Sequence, residues 1–301
     1  MFKSISQIGF SKKFQSSDDC YQYLVDHKWG NGFKCTMCSH TAYYKGRTWH
    51  HRRCRKCLYD ESVTAHTVFH DMKMPLLKAF QMAFRIAARK KGMSTVELGI
   101  EVSVQQKTAW FFKRKLQIVM KPGSTDLLKK NVEMDETLVG GYSEGKPGRN
   151  HEDKEIVMVA VERLDDGRTG NIGLRQIEDF GKDTFEQAVD EMTAKGAAIT
   201  TDDFSSWMAL KKDMPNIETK KSENGAAFKE MHKQIMLVKM WLRGIHHKCS
   251  EKFLHGYLDE YTFRFNNRNQ RHKIFGLLVG QMMQLQPQPF ARPKRICACN
   301  T

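Results

Sequence analysis

The sequence has no long apolar run. Nowhere in its 301 residues does one approach the roughly 18 apolar positions of a membrane span. The opening Met1–Gln7 lacks the apolar stretch of a secretory signal. A membrane-spanning or secreted protein is therefore not expected, and a cytoplasmic one is. Acidic residues are scarce too, but only at the front. Residues 1–130 hold 9 Asp and Glu against 24 Lys and Arg, whereas residues 131–301 hold 25 of each. The whole net charge of +15 thus lies before residue 131. A generally basic surface would not divide this way; a polyanion-binding front and a neutral back would. The length exceeds what one hydrophobic core serves, so several domains are expected.

Eight cysteines are present, and four are spaced as Cys35-x2-Cys38 and Cys54-x2-Cys57. Each pair places two thiolates on one tight turn, and two facing turns make the tetrahedral sulfur cage that Zn2+ prefers. A reducing compartment favours metal over disulfides. The segment between the pairs reads as short strands, so a zinc ribbon is expected. Its zinc is structural, because four sulfurs leave no open position. His50 and His51 lie nearby without being needed. Cys20 and Cys249 read as ordinary residues, and Cys297 and Cys299 as a tail motif without a role.

A helical run follows from Met74 to Arg89, stopped by Gly92. Two capping patterns come next: Ser94-Thr95-Val96-Glu97 opens a short helix, and Ser103-Val104-Gln105-Gln106 a longer one to about Met120. Helix, tight turn and longer helix suggest a helix-turn-helix. Gln105, Gln106, Lys107 and Thr108 begin the second helix and are side-chain types that reach base edges or phosphates. Lys113 and Arg114 are expected near the DNA backbone, with Ala109, Trp110 and Leu116 buried.

Beyond a Pro/Gly/Ser-containing linker at 121–131, strands and helices alternate. Short Val132–Met134, strong Ile156–Glu162 and Asn171–Gln176 read as strands, with Asp165-Asp166-Gly167 as a hairpin turn. A helix over Phe185–Ala194 and a strand over Ala197–Thr201 complete the order of a ribonuclease-H-like fold. Asp135 follows the first strand and Asp202 the fourth. These strands neighbour one another in such a sheet, so the two carboxylates meet where divalent cations can sit. Taken singly, an aspartate at a strand end is more often a turn residue.

Four stretches carry a family likeness: the ribbon cysteines, Ser94–Trp110, Val132–Gly141, and Lys239–Gly244 with Tyr257–Arg268. Through them the chain resembles bacterial insertion-sequence transposases with an N-terminal zinc ribbon and a DDE-type, ribonuclease-H-like (ISXO2-like) domain, over roughly residues 15–285. The resemblance implies that Asp135 and Asp202 are the first two catalytic ligands. It implies a third ligand on a later helix, seven positions before a basic residue. Counting back from Lys239 gives His232, on the same helix face; Glu230 and Glu223 are the alternatives. Lys239 would contact a DNA phosphate. The implied metal is Mg2+ or Mn2+, and imidazole suits Mn2+ better. The implied partners are double-stranded DNA, at element ends and target, and further copies of the chain in a synapse, in a bacterial, nucleoid-associated setting.

The expected architecture is multi-domain, α+β and α/β: a zinc-ribbon segment (1–72), a helix-turn-helix (73–120), the linker (121–131), a ribonuclease-H-like mixed sheet flanked by helices (132–285) and a tail (286–301). The expected activity is binding of terminal inverted repeats, metal-dependent phosphodiester hydrolysis and strand transfer. The alternative is a catalytically inactive DNA-binding regulator derived from such an enzyme. Asn266, Asn267 and Arg268 either bind DNA or cap a helix. Gly140-Gly141 permit a tight turn or a close approach.

Overall fold

The computed structural model describes residues 6–89, 91–140, 154–246 and 249–286. They form two compact units, one of 6–84 with 275–286 and one drawn from 85–274. Among the described residues no helix is long and apolar enough to cross a membrane.

In the first unit, helices α1 (Gln7–Lys13) and α2 (Ser17–Trp29) precede a three-stranded antiparallel sheet of β1 (Tyr43–Lys45), β2 (His51–Cys54) and β3 (Asp60–Ser62). Most of α3 (Leu76–Ala88) and of α10 (Ile274–Gln284) completes it. Aromatic rings hold the helices together: Phe10 stacks on Phe84 at 4.5 Å and meets Phe275 edge-on at 5.5 Å, and Phe14 meets Phe80 at 5.2 Å. Residues 275–285, grouped above with the catalytic segment, therefore pack with the ribbon unit, because Phe275 completes this cluster. The buried Glu61 of β3 is bound 2.7 Å from Lys28 of α2, which ties sheet to helix.

The second unit begins with α4 (Thr95–Val102) and α5 (Gln106–Val119). Ser94 caps α4 by accepting from the Glu97 amide at 3.1 Å. The second expected cap is corrected: Ser103 adopts a left-handed conformation (φ 54°) and ends α4, while Gln105 begins α5 without a side-chain cap. A three-residue connection requires the chain to fold back tightly. Gly99 permits it, since a Cβ there would lie 2.9 Å from the Val104 carbonyl oxygen.

The mixed sheet has the order β6-β5-β4-β7-β8, from β4 (Asn131–Gly140), β5 (Lys154–Arg163), β6 (Thr169–Ile177), β7 (Ile199–Thr201) and β8 (Ile217–Thr219). β4, β5 and β6 run antiparallel in sequence, and β7 joins β4 in parallel. Helices cover both faces, so β5 is apolar on both sides. On one face Val132, Met134, Met158 and Ala160 pack with α6 (Lys182–Met192) and α7 (Ser205–Leu210). On the other, Val139, Val157 and Val159 pack with α8 (Lys229–Ile245) and α9 (Glu251–Asn266).

β6 is an edge strand, and part of its edge is closed by side chains. Asn266 accepts from the Ile172 amide at 2.8 Å and donates to its carbonyl at 2.9 Å, while Arg268 donates to the carbonyls of Thr169 and Gly170. Asn267 ends α9 and donates to the Phe263 carbonyl. The open choice for this triplet thus resolves toward strand-edge and helix-end bonds.

Lys113 and Arg114 depart from expectation. They are only 2% and 7% exposed, so they do not lie on a DNA-facing surface. Lys113 lies 3.3 Å from the fully buried Glu260, which also accepts from Gln117 at 2.7 Å and lies 3.6 Å from Arg264. Arg114 donates to Gln117 and the Tyr257 hydroxyl and lies over the Phe253 ring at 4.3 Å. Burial works against the Glu260 charge, but Lys113 and Arg264 hold its carboxyl below the usual range. Glu260→Ala strands two buried cations and is expected to cost about 3–5 kcal/mol. Hydrogen exchange of α5 and α9 measures the loss. Lys113→Met and Arg264→Met combined with Glu260→Leu should recover much of it, since neither cation is then left unpaired.

Candidate active site

The four ribbon sulfurs all lie within 4.8 Å of one another, with Cys35–Cys57 at 3.6 Å and Cys38–Cys54 at 3.5 Å. Zn–S bonds of about 2.3 Å set tetrahedral edges of about 3.8 Å, so the donor set fits Zn2+. The two turns repeat one design. The residue after each second cysteine, Ser39 (φ 58°) and Leu58 (φ 61°), is left-handed. Each donates back to the carbonyl of the first cysteine, at 2.9 and 3.1 Å. His50 and His51 stay outside the cage: His50 stacks on Tyr21 at 4.0 Å, and His51 bonds Thr48.

The second candidate centre lies on the α8 side of the mixed sheet. Alternation along β4 sends Val132 and Met134 to the α6 face and Asp135, opposite Val159, to the α8 face. The expected short strand is thus a ten-residue one, and Asp135 sits inside it rather than after it. A strand interior holds a carboxylate more rigidly than a loop. β4 pairs in parallel with β7 at Val132 with Ile199 and Glu133 with Thr200, and the same register extended two residues past these pairs sets Asp202 beside Asp135. Asp202 directly follows β7, half-buried, and accepts from the Phe204 amide at 3.1 Å.

His232, on the first turn of α8, points its Nε2 to within 4.0 Å of Asp135 Oδ2. That is too long for a hydrogen bond but within the span of two metal–ligand bonds of about 2.1 Å each. Seven residues on, Lys239 lies half-buried near Asp135. Its ammonium pKa is lowered by burial and by Arg243, against the pull of Asp135. Arg243 and Lys154 thus extend the positive border. Arg243 is not singled out by the sequence alone, although its four-residue spacing from Lys239 puts both on one helix face. Among the described residues only the cysteines form a set of three or more metal-binding groups within 4.8 Å. Asp135, Asp202 and His232 do not close that far, and two metals about 3.5–4 Å apart call for a wider spread.

The alternatives to His232 lie differently. Glu230 Oε2 lies 3.4 Å from the Thr169 hydroxyl and 3.5 Å from Lys233. Glu223 is exposed at the start of a 3-10 turn. At the beginning of α5, Gln105, Gln106 and Lys107 are exposed and Thr108 is half-buried; Gln106 donates to Thr95 at 3.2 Å. Gly140 ends β4, while Gly141 and the 287–301 tail lie outside the described residues.

A four-sulfur ribbon joined to a mixed sheet of this order defines a zinc-ribbon protein with a ribonuclease-H-like transposase core. Residues 15–60 match the transposase zinc-ribbon domain, and residues 127–266 match the ISXO2-like transposase domain. The chain belongs to the IS1595 family of transposases. No curated protein matches it. Among solved structures it is similar to a pre-cleavage Mos1 transpososome, at 12% identity and a TM-score of 0.30, covering 64% of this chain and 74% of that one. It is also similar to the Mos1 strand transfer complex, at 9% identity and a TM-score of 0.26, covering 67% and 78%.

Proposed function

We propose that the protein is the active transposase of an insertion sequence. It binds the terminal inverted repeats as duplex DNA through the ribbon and through Gln105, Gln106, Lys107 and Thr108. It hydrolyses the phosphodiester at the element end, and the freed 3′-hydroxyl then attacks a target phosphodiester. Copies assemble on paired ends in a nucleoid-associated synapse. In this reading residues 73–120 serve DNA recognition and 132–274 contribute the catalytic centre.

The observation that carries the proposal is the imidazole of His232 facing Asp135 across 4.0 Å, inside a matched transposase domain. Asp135, Asp202 and His232 are the residues to hold a divalent cation. Bound there, Mg2+ or Mn2+ supplies activation of the attacking oxygen and charge stabilisation on the leaving one. Asp135 fixes its position from within a paired strand, and His232 from a helix packed on that strand. Lys239 offers its ammonium to a phosphate oxygen and holds the backbone in line. With DNA already positioned, no covalent enzyme intermediate is required.

His232→Ala is expected to lower cleavage of labelled element-end DNA by about two orders of magnitude, roughly 2.7 kcal/mol of barrier. DNA affinity should stay unchanged. His232→Glu should restore cutting and shift its metal preference from Mn2+ toward Mg2+. Normal cutting by His232→Ala would transfer the role to Glu230 or Glu223. A wild type that binds the ends but cuts with neither metal would support the regulator alternative.

A further inference from the structure

The ribbon carries a second surface besides its sulfur cage. From His27 to Tyr59 the sequence has eight Lys and Arg and no Asp or Glu. Strand register sorts them onto two faces. Lys45, Arg52 and Glu61 are cross-strand neighbours, as are Tyr44, Arg53 and Asp60. The Arg52 face packs inward: its guanidinium lies 4.9 Å over Trp29 and 4.0 Å over Tyr43, and Glu61 holds Lys28. The Tyr44 face points outward. Tyr44 is 53% exposed, Arg53 is exposed, and exposed Arg55 lies 4.7 Å over the Tyr44 ring.

The acid on this face is turned aside, since Asp60 accepts from the Arg47 amide at 3.1 Å and so pins the β1–β2 turn. Among the described residues none of Lys45, Arg47, Arg53, Arg55 and Lys56 has an ion-pair partner; the ion pair of this module is Lys28–Glu61. Five uncompensated cations thus surround one short, paired sheet.

We propose that this outward face, centred on Tyr44, Arg53 and Arg55, is a docking surface for the sugar–phosphate backbone of duplex DNA. It grips without reading sequence. The assignment rests on the DNA-binding reading above and adds a division of labour to it. Charge complementarity selects the polyanion. The Tyr44 ring orients the Arg55 guanidinium with its N–H donors free, which suits phosphate oxygens. The sheet and the sulfur cage fix these groups before binding, so little ordering remains to oppose association. Three- and four-residue strands present few side chains to enter a groove, whereas the start of α5 has amides suited to base edges.

The test uses the full zinc-loaded chain and two duplexes of equal length, one with the element end and one unrelated. Affinity is followed by fluorescence anisotropy between about 50 and 200 mM salt. Arg53→Ala combined with Arg55→Ala should weaken both duplexes by the same factor. It should lower the salt slope by about two and leave the ratio of the two affinities unchanged. Tyr44→Ala should give a smaller loss of the same kind. Zinc content, measured on each variant, establishes that the ribbon is intact. An unchanged slope with zinc retained overturns the assignment. A collapse of the affinity ratio overturns it also, since the face would then be reading bases. A wild type that binds neither duplex overturns the DNA reading itself, and this assignment with it.

Discussion

Asp135→Ala is expected to abolish strand cleavage while leaving DNA binding in place. A fall of at least about 10³ in rate is expected, or some 4 kcal/mol of barrier. The size follows from position. Asp135 is on a strand paired along both edges, faces His232, and neighbours the position where the β7 register brings Asp202. Removing it takes away the carboxylate that faces His232 from within a paired strand, so the remaining groups have no common centre to share. Cleavage of labelled element-end DNA in Mg2+ and in Mn2+ measures the effect, and anisotropy on the same duplex checks binding. Paramagnetic Mn2+ binding should weaken in parallel. Cleavage within tenfold of wild type would remove Asp135 from the site. Lost binding together with lost cleavage would instead indicate a folding defect, which the thermal transition would reveal.

The other large effect concerns zinc. Cys54 is fully buried, and its sulfur lies 3.5 Å from that of Cys38. Serine cannot supply a thiolate, so Cys54→Ser should release the metal. Structural zinc contributes about 10–16 kcal/mol of apparent binding free energy, and in small modules that is folding free energy. β1, β2 and β3 have three or four residues each and could not hold their pairing unaided. The expected result is loss of bound zinc by metal analysis and loss of amide protection from about Cys35 to Ser62. Protection retained in a zinc-free chain would show that the aromatic packing suffices.

The ribbon cysteines were legible because metal ligation imposes a local spacing. The strand order was legible because β5 and β6 carry a strong apolar pattern around a clear turn. The length of β4 was not. Its α8-facing positions are Glu133, Asp135 and Thr137, and polar residues on one face hide a strand from a reading tuned to apolar runs. The facing of Asp135 by His232 could be approached through the family resemblance, which implies a third ligand seven residues before a basic one and so on one helix face. The burial of Lys113 and Arg114 could not be read. Their partners Tyr257 and Glu260 lie more than 140 residues away, and a charged pair looks solvated until its distant counter-charge is placed. Ser103 misled for a related reason: serine before a helix fits a cap, but here the preceding helix claims it as its left-handed end.

The Glu260 network has a mechanical meaning as well. It bolts α5 to α9, and α9 shares one core with α8 and the sheet face bearing Asp135. The exposed beginning of α5 therefore cannot swivel on a tether. In the proposed function, DNA gripped there would be held at a set distance from the scissile phosphate, and the interval between recognised sequence and cut would become a ruler built from interior charges.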